Sequence, residues 1–273
     1  MFIFSRLRKS MIVAVFLIVS AFAFVAYANH SWGGYHWART ASPVMLKLGD
    51  NVSPLWDAHL ASASADWNNP LASISVLSTT VVLGRSTSRC RPTLGRVEVC
   101  NRSYGNNGWL GVASIWVNGS HITQGTVKLN DTYFDTSTYN TPAWRQFVAC
   151  QEIGHTFGLA HQDENFNNAN LGTCMDYTND PGGTLYNQLS NRHPNTHDFN
   201  QLGTIYAHLD TTTTAFSKIS SQAASDIDTS NASEWGKAIR KSADGRTVLH
   251  ERDLGKGQKL FTFVIWADEG GTK

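Results

Sequence analysis

Charge is scarce in this chain. Only 16% of its 273 residues are Asp, Glu, Lys or Arg, and the formal net charge is +1. No stripe of Lys and Arg gathers on any segment, so the electrostatic footprint of a nucleic-acid binder is missing. No segment repeats at the period of a solenoid or propeller, which excludes those architectures. Cysteine is limited to four residues, and one long apolar run stands at the N-terminus. The remainder is rich in Asn, Ser, Thr, Gly and Trp. With 41% hydrophobic residues, it suffices for one full core and a small second module.

The N-terminal run has the order of a targeting segment. Arg6, Arg8 and Lys9 precede an apolar stretch over 11–25, and Ala26-Tyr27-Ala28 supplies a small-x-small cleavage pattern. Residues 1–28 therefore read as a signal peptide. An uncleaved membrane anchor is the competing reading, because the run nearly reaches spanning length. Either way the domain lies outside the cytosol, and cleavage makes it a secreted, extracellular monomer without membrane contact. Four cysteines in an exported chain imply two disulfides, drawn from three pairings. Cys90 and Cys100 flank a short polar turn and make a natural local pair, which leaves Cys150 and Cys174.

Residues 29–210 read as one α+β domain. Alternation at 44–48 predicts a strand, as do runs at 74–83, 96–101, 111–118 and 122–129. A helix is expected from Ser53 as N-cap and Pro54 to about Trp67, burying Leu55, Trp56, His59, Leu60 and Ala63. A second begins at Asn140 or Thr141, with Pro142 in its first turn, and runs through Phe157. Its stripe is Trp144, Phe147, Val148, Gln151 and His155. A third is expected over 196–208. Residues 211–234 resemble a Ser/Thr-rich linker, and 235–273 a small β-like module.

Gln151, Glu152, His155 and His161 carry the chemistry. Positions i and i+4 of a helix lie one above the other, so Gln151 and His155 can reach one ion. Gly158 offers a turn that brings His161 back as third ligand. Glu152 can hold a water at the open fourth position. Three ligands, an open position and an adjacent general base are what a catalytic zinc needs.

The segment from Glu152 to His161 resembles the metzincin metallopeptidases, whose signature is His-Glu-x-x-His-x-x-Gly-x-x-His with a methionine turn downstream. Cys174-Met175-Asp176-Tyr177 looks like that turn. The departure is Gln151 in place of His, a replacement also seen in some gametolysin-like members of this matrixin-like group. An amide oxygen is the poorer ligand, so affinity should fall. A neutral Gln nevertheless leaves the ion its full charge for acidifying water.

The resemblance implies a mixed twisted sheet with an active-site helix, Met-turn and C-terminal helix. It also implies one catalytic Zn2+, with copper as an alternative and calcium in the long loops as an open question. Peptide bonds would be hydrolysed through a metal-activated water with Glu152 as general base, on a protein or peptide substrate. The substrate would extend along the strand ending near Leu129.

Asp163 would orient a ligand histidine from behind, bind the metal itself, or sit as an exposed loop acid. Met175 would form an apolar floor, and Tyr177 would stabilise the oxyanion. A Cys150–Cys174 bond would tie helix to turn. His193, His197 and Asp198 suggest a second metal group, but capping and surface roles at a helix start are the simpler reading. No cysteine lies between Asn29 and the first strands, so a matrixin-style inhibitory pro-segment is not expected. The alternative function is a protease-fold binding module without turnover, gripping a ligand through Trp235 and Trp266.

Overall fold

A computed structural model describes residues 30–68, 76–86, 89–216 and 227–267. The signal-peptide reading of 1–28 and the middle of the expected linker lie outside them. Among the described residues no helix is long and apolar enough to cross a membrane.

The chain is α+β, organised on a nine-stranded sheet. Strand β1 is His36–Trp37 and β2 is Val44–Asn51. Helix α1, Pro54–Asn68, then crosses to β3, Leu77–Leu83. β2 and β3 are parallel, as a helical crossover requires. β4 (Val97–Arg102), β5 (Trp109–Asn118) and β6 (His121–Asn130) follow. The order across the sheet is β3-β2-β4-β6-β5, with β1 beside the start of β6. Short α2, Asp131–Phe134, leads to α3, Pro142–His155, and then to α4, Thr196–Ile205.

Local chemistry sets the helix ends. Thr141 caps α3 by accepting the Trp144 amide, with Pro142 in the first turn. Asn195 and Asp198 form a reciprocal capping box on α4. The inner face of α1 is Trp56, Leu60, Ala63, Ser64 and Trp67. Leu55 is exposed and His59 half-buried, so the expected face was rotated; the tryptophans carry the larger apolar area and decide it. α3 is buried on every side from Arg145 to His155, well beyond the single stripe expected.

Three expectations are corrected here. β7 (Lys237–Lys241), β8 (Thr247–Gly255) and β9 (Gln258–Trp266) are no separate module. They extend the same sheet, in the order β5-β9-β8-β7. β9 runs antiparallel to β5, with Val112 opposite Val264 and Ala113 opposite Phe263. Because β9 is apolar on both faces, burial between β5 and β8 is its stable place. The strand ending at Leu129, expected to receive substrate, is β6. It lies inside the sheet with both neighbours filled, so it offers no edge. Trp235 and Trp266 are also no exposed platform: Trp235 is buried against Trp109, Val112 and Val264 on the face of the sheet away from the main core.

Candidate metal centre

The centre is built where α3 stops. Gly158 has φ +104°, and a Cβ there would fall 2.3 Å from the Tyr35 carbonyl oxygen, so only glycine makes this turn. The turn returns His161 to face His155. The ring centroids are 4.5 Å apart and the Nε2 atoms only 3.0 Å apart.

Their partners fix the tautomers. His155 Nδ1 lies 2.8 Å from the Leu159 carbonyl oxygen, and His161 Nδ1 3.1 Å from Glu164 Oε1. Each Nδ1 therefore carries the proton and each Nε2 presents a bare lone pair. Burial lowers both pKa values well below the ordinary histidine value, His155 further through His161, and His161 through Arg240 and His30. Both rings are neutral. Two neutral imidazole nitrogens 3.0 Å apart are joined either by a shared proton or by a cation. For bonds of about 2.0–2.1 Å, tetrahedral zinc sets its ligands roughly 3.3 Å apart.

Gln151 sits one turn earlier on the same helix. Its Nε2 donates to the Cys174 carbonyl at 2.8 Å, which turns Oε1 the other way, buried and without a hydrogen-bond partner. An orphan amide oxygen one helical turn before two imidazoles whose Nε2 atoms face each other is a donor set of the type zinc takes. Glu152 is fully buried, and neither carboxylate oxygen makes a hydrogen bond of standard geometry. Burial raises its pKa well above the ordinary carboxylate value, against a weaker downward pull from the Ala113 and Ile265 backbone.

The disulfides are Cys90–Cys100 and Cys150–Cys174. The second fastens α3 to the segment carrying Met175 and Tyr177. Met175 packs under Gly154, where a Cβ would come within 2.6 Å of its sulfur. The Tyr177 ring is 4.4 Å from that of His161, and its hydroxyl donates to the Val264 carbonyl at 3.1 Å. Burial raises the Tyr177 pKa well above its ordinary value, with Glu164 and Glu152 adding to the rise, so it remains a donor.

Asp163 is not behind a ligand histidine. Its carboxylate accepts the Asn165 amide at 2.7 Å in a local turn, and Glu164 takes the place beside His161. Their order in the loop is set by that turn, which spacing alone does not reveal. His193 pairs with Asp66 at 2.8 Å, away from the centre. His197 stacks on His30, whose Nε2 is 3.1 Å from Asp198 Oδ1.

Two participants escaped the sequence reading. One is Glu164, three residues after His161. The other is Phe263 of β9, whose ring stacks on His155 at 4.0 Å and 9°. The apolar run over 260–266, interrupted only by Thr262, was the available signal, since it marks a strand buried on both faces.

No protein-family model and no curated protein sequence matches the chain. Among solved structures it is similar to high choriolytic enzyme 1 (HCE-1), a hatching enzyme zinc-protease from Oryzias latipes (Medaka fish). The TM-score is 0.36 and the identity 11%, over 64% of this chain and 96% of that one. A likeness so loose carries no weight about activity.

Proposed function

We propose that this chain is a secreted, metzincin-like zinc endopeptidase, and that β9 occupies the place of an extended substrate. The observation that carries the reading is the pair of Nε2 atoms 3.0 Å apart, on and just beyond the helix that also holds an orphan Gln151 oxygen and a fully buried Glu152 carboxylate. Zinc held there supplies Lewis-acid polarisation of a carbonyl and acidifies a water.

The residues do the rest. Glu152 takes a proton from water and hands it to the leaving amine, a task its dry surroundings favour by raising its basicity. Glu164 holds His161 in the ligating tautomer. Tyr177 donates to a main-chain carbonyl in the cleft, a position that Val264 fills. β5 is the strand on which a peptide would add, antiparallel, as β9 does.

The same closure favours a second reading: a protease-fold chain without turnover, since Gln151, Glu152 and His155 have no exposed surface. Phe263→Asp separates the two. A carboxylate against His155 is expected to expel β9 while the full chain is retained. Zinc-loaded Phe263→Asp should then cleave casein or gelatin faster than the unaltered chain. Adding Glu152→Ala should cost about 10²–10⁴-fold. Cleavage that survives both Glu152→Ala and chelation rejects the endopeptidase; absence of cleavage with zinc bound and β9 displaced favours the second reading.

A further inference from the structure

β9 does more than lie in the cleft; its register singles out one peptide bond. The Val264 carbonyl accepts the Tyr177 hydroxyl at 3.1 Å. At the other end of the same peptide unit, the Ile265 amide belongs to the rung where Ile265 pairs with Gly111. Glu152 stands at that rung. A Cβ on Gly111 would fall 2.8 Å from Glu152 Oε1 and 2.6 Å from Val148 Cγ1, so the carboxylate fills space that a side chain would take. Burial raises the Glu152 pKa, and the Ala113 and Ile265 backbone amides draw it part of the way back, as donors directed at a carboxylate do. The oxygen and the nitrogen of one amide are thus faced by a phenol and by a base.

Alternation along β9 sorts its side chains. Phe261, Phe263 and Ile265 enter the main core, whereas Val264 packs with Trp109, Val112 and Trp235 on the opposite face. The Phe261 ring lies 4.8 Å from those of both Trp32 and Tyr35, and Phe263 stacks on His155. Ile265, opposite Gly111, shares the face of Val148 and Glu152. Trp32, Tyr35, Val148, Glu152 and His155 all precede the tail in sequence, so these seats remain when β9 leaves.

Resting on the endopeptidase reading above, we infer that the site acts on extended apolar segments of protein and that Val264–Ile265 stands where the cut is made. The preferred segment carries an aliphatic residue directly after the bond, as Ile265 is, and aromatic residues two and four positions before that one, as Phe263 and Phe261 are. In the cut, the oxygen of water joins the Val264 carbonyl carbon and the carbon–nitrogen bond to Ile265 breaks. Glu152 passes the proton of that water to the Ile265 nitrogen, which leaves as an amine, while Tyr177 holds the carbonyl oxygen. Pairing of β9 with both β5 and β8 keeps the two ends together, so the tail is a slow substrate of its own site.

The test uses a labelled peptide of residues 258–267 and the full-length Phe263→Asp chain. In chelator, fluorescence anisotropy should show the peptide bound. Ile265→Asp in the peptide should weaken binding about tenfold or more, as loss of a buried aliphatic side chain does. Lys259→Ala should weaken it less than about twofold. With zinc, mass spectrometry should find one cut, between Val264 and Ile265. A peptide left whole or cut elsewhere while casein is cleaved overturns the inference and spares the endopeptidase, as does equal binding of the two altered peptides. Casein and peptide both left whole by zinc-loaded protein reject the endopeptidase, and the inference with it. If Phe263→Asp does not fold or does not release β9, the unaltered zinc-loaded chain decides. It should nick itself slowly at Val264–Ile265, and Glu152→Ala should abolish the nick; no nick, or one elsewhere, overturns the inference.

Discussion

Two imidazole clusters in one chain differ in charge and in dryness. The cluster at the end of α3 is fully buried and electrically neutral, made of an amide and two histidines beside a carboxylate that does not belong to the set. The cluster at Asp210 is partly exposed, with the His208 side chain 57% accessible, and has its carboxylate at the middle. A neutral set would leave an ion its charge for chemistry, whereas the carboxylate of Asp210 is already engaged by hydrogen bonds with His36 and His121. The same side-chain types thus differ in character according to what faces them.

The largest expected effect breaks the comparison at its outer shell. Glu164→Gln removes the anionic partner of His161 and should weaken zinc at the first centre by about 10–100-fold. Asp163→Asn, in the neighbouring turn, should change it by less than about twofold. Chelator competition on the two variants measures both. A converse change makes the first centre resemble the second. Gln151→Glu supplies an anionic donor and should tighten zinc by about tenfold, or about 1.4 kcal/mol. It should also shift the acidic limb of the pH–rate profile upward, because the ion keeps less charge. Kinetics in the Phe263→Asp background read the shift.

The smallest effect concerns Asp176, a buried carboxyl outside both sets. Burial pushes its pKa up to about 6, against hydrogen bonds from the Leu171 amide and Asn191. The native chain therefore holds a proton that the unfolded chain releases near 3.8. This contribution to stability is complete below that value and is lost as pH rises through 6. Asp176→Asn keeps the acceptor and discards the charge. It should flatten stability between pH 4 and 6 and gain roughly 1–2 kcal/mol at pH 8, seen by urea unfolding at both ends.

What could be read in the sequence was local. Gln151 and His155 share a helix face by spacing, Gly158 turns the chain by its lack of a side chain, and His161 follows within three residues. The start of α3 at Thr141 was equally plain from its cap and proline. What could not be read depends on partners remote in sequence. Nothing near Phe263 announces that it will stack on His155, because the register of β9 on β5 is set by burial of an entire strand. His121 and Asp210 meet across 89 positions, and neither segment alone marks the pair. The choice between Asp163 and Glu164 turned on one loop conformation, below the resolution of any pattern.

A strand tethered to its own cleft acts at an effective concentration that no dissolved peptide easily matches, of millimolar order for short flexible links. Any affinity measured on the intact chain, for substrate or inhibitor, is then multiplied by the fraction of molecules whose groove is open. Cutting the tether alone would leave that occupant hydrogen-bonded along nine residues of sheet. Selectivity in such a protein begins with how readily its last strand peels away, before any incoming side chain is compared with another.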